Sequence, residues 1–291
     1  MYRFVWTSFF LLYFSLILFA QKKVFNLEYT YNLSNLDSQI TAEAITQNRA
    51  KDSLASIIYR SIEHSLETKS ELHKNIDGIS SLQVISMIPC IIEIATIKDA
   101  WIPDSYYIKL ETSFDTALFI NRLNKISRTK EEVERIERLK IESDKANIQI
   151  ETLKESINTN DFEDNKFRLQ IEYVENINKL QVKDLFQKGY LAFIKMEYDT
   201  AISNYRKMID LAPNNEFGYY NLALNYTELG NDDEAIKFYK ETVKISPRFA
   251  NAHYNLGILY AKNGDEYNSN RYLQKAARLN HKKAKELLRP K

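Results

Sequence analysis

Two aromatic–amide pairs, Tyr220-Asn221 and Tyr254-Asn255, stand 34 residues apart, and their types suit recognition. Aromatic rings supply contact area at low entropic cost, and carboxamides pair with peptide backbone groups. The same periodic face takes in Phe186, Tyr190 and Phe217, and it implies a protein or peptide ligand. Chemistry of the catalytic kind has no comparable signature. His64, His73, His253 and His281 are scattered, without metal-ligand spacing such as HExxH. No Gly-rich phosphate loop and no Gly-x-Ser-x-Gly elbow occurs. Carboxylates are abundant but fall on solvent faces of helical stretches, where shifted titration is not expected. Cys90 sits in the apolar run Met87-Ile88-Pro89-Cys90-Ile91-Ile92 and reads as a small buried hydrophobe. The expectation is therefore no enzyme, no metal and no cofactor. With 40 Lys+Arg against 39 Asp+Glu, nothing in the charge balance points to a nucleic-acid partner.

The elements that position these residues follow from periodicity. Gly189, Ala223 and Gly257 are in phase at 34 residues, as are Ala201, Ala235 and Ser269, and Pro213, Pro247 and His281. Small residues and prolines in phase at that length mark an array of helical hairpins. Three units, 182–215, 216–249 and 250–283, fill residues 182–291, with a capping helix bearing Ala284, Leu287 and Leu288 at the end. Gly230 and Gly264 end the first helix of their units in the left-handed conformation.

Before the repeats, Phe25, Leu27, Tyr29 and Tyr31 alternate with polar residues, which predicts a half-buried strand. Ala50, Leu54, Ile58 and Ile62 recur every four residues and predict an amphipathic helix beginning after Asp37-Ser38. The β-branched runs Leu82–Ile88 and Ile91–Ile97 read as short extended segments broken at Pro89. Tyr106, Ile108, Leu110, Thr112 and Phe114 predict a strand, followed by a helix capped by Asp115. Residues 21–127 thus form a small α+β domain. Residues 128–181 read as a helical connector hairpin, its seam traced by Val133, Ile136, Leu139, Ser143, Ala146, Ile150, Leu153 and Ile157, with coiled coil as the other reading. The fold class is an α+β N-terminal domain followed by an all-α helical-hairpin solenoid, mostly helical overall.

Residues 1–20 stand apart. Met1-Tyr2-Arg3 is followed by an apolar run from Phe4 to Phe19, then Ala20 and the polar Gln21-Lys22-Lys23. This predicts a secretory signal peptide cut after Ala20, although Leu18 is large for its place before the cut. An uncleaved anchor is the alternative, and a membrane partner is expected in that case alone. Export without a possible internal disulfide places the protein in a bacterial periplasm or envelope.

The repeats resemble the tetratricopeptide repeat family over residues 182–291. The middle unit carries Tyr219, Leu222-Ala223, Tyr226, Gly230, Ala235, Tyr239 and Pro247 in the family's phase. The third carries Leu256-Gly257, Tyr260, Gly264 and Leu273, with His253, Ser269 and His281 as departures. The first carries Leu185, Gly189, Ala201, Tyr205 and Pro213, with Lys188 and Ala192 as departures. The resemblance implies a protein-binding scaffold whose first helices line a concave face. It equally makes Tyr220, Asn221, Tyr254 and Asn255 ordinary framework. Some family members grip a terminal carboxylate with Lys, Arg and Asn. Asn221 alone matches that set, and Phe186, Tyr190, Asn251 and Asn255 replace the rest, so that clamp is not expected. Residues 24–126 resemble the helix-plus-hairpin domain of small bacterial envelope lipoproteins, through Ala42-Glu43-Ala44 to Ala55 and Trp101…Asp104-Ser105-Tyr106-Tyr107-Ile108-Lys109. The lipid-bearing cysteine is missing. That likeness implies the rival reading, a structural envelope component acting through this domain with the repeats as spacer.

Overall fold

The computed structural model describes residues 22–34, 36–67, 79–127, 130–159 and 163–289. It divides into two compact units, 1–187 and 188–291. The leader lies outside the described residues, as do Asn75-Ile76-Asp77-Gly78, whose composition reads as a turn, and Thr129, whose spacing to Glu132 reads as a capping box.

The first unit comprises β1 (Lys22–Asn32), α1 (Gln39–Glu67), α2 (Ser81–Ile91), β2 (Ala95–Ile102), β3 (Ser105–Asp115), α3 (Thr116–Ser127), α4 (Lys130–Thr159) and most of α5 (Glu163–Ile194). The strands form one antiparallel sheet in the order β1-β3-β2. Pairing of β1 with β3 runs from Lys22 opposite Asp115 to Asn32 opposite Ser105, so the two alternating patterns of the sequence come into register. Tyr106, Ile108, Leu110, Thr112 and Phe114 are all buried on one face, against which α1 packs. Strict alternation allows this: one face buried, the other solvated. Asp104 takes a left-handed φ of 58° in the β2–β3 turn.

One segment departs from the sequence reading. Leu82–Ile88 is not extended but belongs to helix α2. Ser80 accepts a hydrogen bond from the Gln83 amide while the Gln83 side chain accepts from the Ser80 amide, a reciprocal cap that starts the helix. Val84, Met87, Ile88, Cys90 and Ile91 are buried, so packing against α1 and α4 outweighs the weak β preference of the branched residues. Pro89 stands in the last turn, where one lost amide bond does not stop the helix before Ile91. Burial pushes the Cys90 thiol well above its ordinary value.

The α4 seam is buried along its length. Ala146, Ile150, Leu153 and Ile157 share a core with Tyr31 of β1, Ala42 and Ile45 of α1, and Tyr173, Ile177 and Leu180 of α5. The hairpin at 128–181 therefore contributes to the first unit rather than standing free of it. Asp37 fixes the joint. Its side chain is fully buried, and Oδ2 accepts from the Ser34 amide at 2.8 Å, the Ser34 hydroxyl at 2.9 Å and Lys154 Nζ at 2.9 Å. Oδ1 accepts from the Tyr173 hydroxyl at 2.6 Å. These donors meet the hydrogen-bonding demand that burial imposes on a carboxylate. Burial lowers the Lys154 ammonium to about 8.

The second unit holds the end of α5, then α6 (Tyr198–Leu211), α7 (Glu216–Glu228), α8 (Asp232–Ile245), α9 (Ala250–Lys262), α10 (Glu266–Arg278) and α11 (Lys282–Leu287). The contacts repeat with the sequence. Tyr226 stacks on Phe238 at 5.6 Å, and Tyr260 stacks on Tyr272, each 34 residues later, at 5.6 Å. Asn231 and Asp265 each cap a second helix, accepting from the Glu234 and Asn268 amides. Gly230 and Gly264 take φ of 73° and 76°. In the first unit of the array Met196 occupies the equivalent place at φ 63°, a conformation that strains a residue with a side chain. In the cap, Ala284 is buried and Leu287 is exposed, so Leu287 does not help close the last interface.

Candidate functional site

Two regions invite comparison as sites. The first is an open cleft of about 500 Å³ in the N-terminal unit, lined by Tyr29, Arg49, Asp52, Lys140, Asp144 and Glu151 among others. Its charges close on one another. Lys183 Nζ bonds both Asp52 oxygens, at 2.8 and 2.9 Å, and Lys140 pairs with Asp52 at 3.3 Å and with Asp144. Arg49 reaches Asn147 and Glu151. Burial drives the Lys183 ammonium below its ordinary value despite Asp52. Burial also opposes the charge on Lys140, but Asp52 and Asp144 outweigh it and raise that group. Here carboxylates and ammonium groups neutralise each other, and no nucleophile–base pair stands among them. No group of three His, Cys, Asp or Glu residues suited to a metal occurs among the described residues.

The second region is the inner side of the repeats. Close helix approach creates it: a Cβ added at Gly257 would fall 2.6 Å from Leu273 Cγ, and one at Gly189 would fall 2.8 Å from Tyr205 Cζ. Tyr239 of α8 is fully buried, and its hydroxyl bridges two first helices. It accepts from Asn255 Nδ2 of α9 at 2.9 Å and lies 3.5 Å from Thr227 Oγ1 of α7. The Asn255 carbonyl oxygen has no partner among the described residues.

The structure divides the residues expected to recognise a ligand. Phe186 is buried in α5 within the first unit, as are its neighbours Lys183 and Gln187. Phe217 and Tyr220 are buried around Phe249, with ring centroids 6.3 and 4.7 Å from it. Asn221 is buried and donates to the Phe217 carbonyl of its own helix at 2.8 Å, so its amide is not offered to a ligand. These four side chains serve packing. Tyr190, Tyr254 and Asn255 remain half-exposed, with Tyr254 stacked on His281 at 4.2 Å. Phe249 and Thr227 shape this face without being singled out by the sequence reading, and Tyr239, read there as repeat framework alone, bonds Asn255 on it. A large aromatic two residues beyond Pro247 was the available signal for Phe249. Leu224 and Ile258, again 34 apart, stand half-exposed and exposed on α7 and α9.

The histidines of the array are framework. His253 Nε2 lies 3.0 Å from the Pro247 carbonyl, and its Nδ1 is buried without a partner among the described residues. Burial holds this imidazole below its ordinary value. His281 caps α11, accepting from the Ala284 amide.

Comparison with known proteins agrees with this geometry. A TPR repeat model matches residues 224–264 and a tetratricopeptide repeat model matches 250–287. No curated protein matches the chain. Among solved structures, a crystal structure of MamA protein is 23% identical, covering 55% of this chain and 88% of its own, at a TM-score of 0.34. A complex of the yeast Sti1 TPR2B domain with pHsp70 is 22% identical over 37% of this chain and 90% of that one, at 0.35. The CopN–Scc3 complex is 14% identical over 37% and 69%, at 0.35. Together with the 34-residue recurrence of stacking and capping contacts and the close glycine approaches, these family models show that residues 224–287 are built of tetratricopeptide repeats.

Proposed function

We propose that the protein is a scaffold that holds an extended peptide or a helix of a protein partner against the first helices of its repeats. The observation that carries this is the pair Leu224 and Ile258. Both are apolar and sit at equivalent places on α7 and α9; Leu224 packs partly against the repeat core and stays half-exposed, and Ile258 is exposed. Beside Ile258 the side-chain carbonyl of Asn255, without a partner among the described residues, offers an acceptor to a backbone amide. Stacked repeats present such faces as extended surfaces, and an apolar ridge beside fixed polar groups supplies affinity and register together. The chain acts by binding rather than catalysis. Its location in the periplasm or envelope is part of the proposal and is supported by the apolar Phe4–Phe19 segment.

The full chain carrying a C-terminal tag, purified from its native cells, tests both parts. Ile258→Glu is expected to lose the co-purifying partner at least about tenfold with an unchanged melting temperature, since one buried apolar anchor contributes on the order of 2 kcal/mol. Retention of every partner by this variant refutes the groove. N-terminal sequencing of the same sample is expected to begin at Gln21; a cytosolic protein beginning at Met1 refutes export.

A further inference from the structure

Helix α5 has a second apolar face. Its core face carries Tyr173, Ile177 and Leu180. On the solvent side Phe167, Ile171 and Val174 are 67%, 47% and 50% exposed. Their spacing of four and then three residues aligns them in one stripe along the helix. An exposed stripe of this kind marks a contact surface, and its flank names the occupant. Arg168 and Glu175, both exposed, lie seven residues apart on the same side of the stripe. When two helices pack antiparallel, like flanks face each other. Arg168 of one copy then meets Glu175 of the other, and the two-fold axis makes the contact twice. In that register Ile171 packs on Val174 of the second copy, again twice, and Phe167 covers Asn178.

We infer that the Phe167–Ile171–Val174 stripe is a self-association surface, pairing two copies of this chain through antiparallel α5 helices locked by reciprocal Arg168–Glu175 ion pairs. None of these residues belongs to the repeat groove, so the inference stands or falls apart from the proposed function. A contact confined to a few turns of helix falls in the small class of interfaces, below about 1,200 Å². The dimer is accordingly weak and reversible.

Sedimentation equilibrium of the full chain from about 1 μM to about 200 μM, the range suited to a contact of this class, reads it directly. The wild-type chain is expected to dimerise, and Ile171→Glu to remain monomeric with an unchanged melting temperature. Arg168→Glu and Glu175→Arg each turn two attractions into two repulsions and are expected to weaken association about tenfold. The double swap Arg168→Glu/Glu175→Arg restores the pairs in reverse and is expected to return the association constant to near wild type. A monomer at the highest concentration overturns the inference. So does association that is indifferent to the single swaps, as the apolar Phe4–Phe19 segment would produce, or a double swap that fails to rescue. A monomeric chain that loses a different protein partner on Ile171→Glu overturns it in favour of a heterologous contact.

Discussion

Replacing Gly257 by Ala sets two effects of opposite sign against each other. Intrinsic helix preference favours Ala over Gly by about 1 kcal/mol in a helix interior, and Gly257 lies inside α9. Against this, the new Cβ would stand 2.6 Å from Leu273 Cγ, 2.8 Å from Leu273 Cδ2 and 3.1 Å from the Leu273 amide nitrogen. A branch carbon and a backbone atom cannot swing aside as a chain end can, so α10 must move. Overpacking of this kind costs about 1–3 kcal/mol, and the balance is a net loss of roughly 1 kcal/mol. The two units need not unfold together, so the readout is the opening free energy of α9 and α10 amide protons by native-state hydrogen exchange. In a Leu273→Ala background the clashing side-chain atoms are gone. There Gly257→Ala is expected to become neutral or stabilising, a coupling of about 1 kcal/mol or more in a double-mutant cycle. If Gly257→Ala stabilises α9 by about 1 kcal/mol in the wild-type background, helix preference alone governs and the close-approach argument is wrong.

Two further outcomes follow from the repeats. Burial holds His253 below its ordinary value of 6.5, so the unfolded chain takes up a proton at a higher pH than the folded one. The stability of the second unit is expected to be full above about pH 6.5 and to fall as pH drops below it; His253→Gln should flatten the difference in α9 exchange between pH 7.5 and pH 5.5, and an equal slope in both proteins would count against the assignment. Met196 holds a left-handed φ of 63° where later units have glycine; Met196→Gly is expected to stabilise the first repeat by about 1 kcal/mol in denaturant titration, and a loss would show that the exposed Met side chain contributes more than its strain costs.

The sequence makes the repeats legible because close helix packing leaves little choice. Gly257 against Leu273 and Gly230 at positive φ are positions where few residue types fit, and such constraints write themselves into the chain at a fixed period. The β1 and β3 strands are legible for a related reason: each has one buried and one solvated face, which produces alternation. Helix α2 was not, because it is buried on nearly all sides. An apolar β-branched run without periodicity fits a buried strand or a buried helix equally well. There the Ser80–Gln83 cap, together with the packing surfaces of α1 and α4, decides.

The candidate site divides the same way. Taken alone, the sequence determined that aromatic and amide residues recur on the first helices, because the 34-residue phase places them there. It did not determine which of them face outward. Phe249 enters from a turn to cover Tyr220, the Asn221 amide is spent on its own helix, and Phe186 lies in the packed interior of the first unit. Exposure depends on what arrives from other helices. Helical phase sets a direction, whereas burial is settled by neighbours distant in sequence, and those the tertiary structure alone brings together.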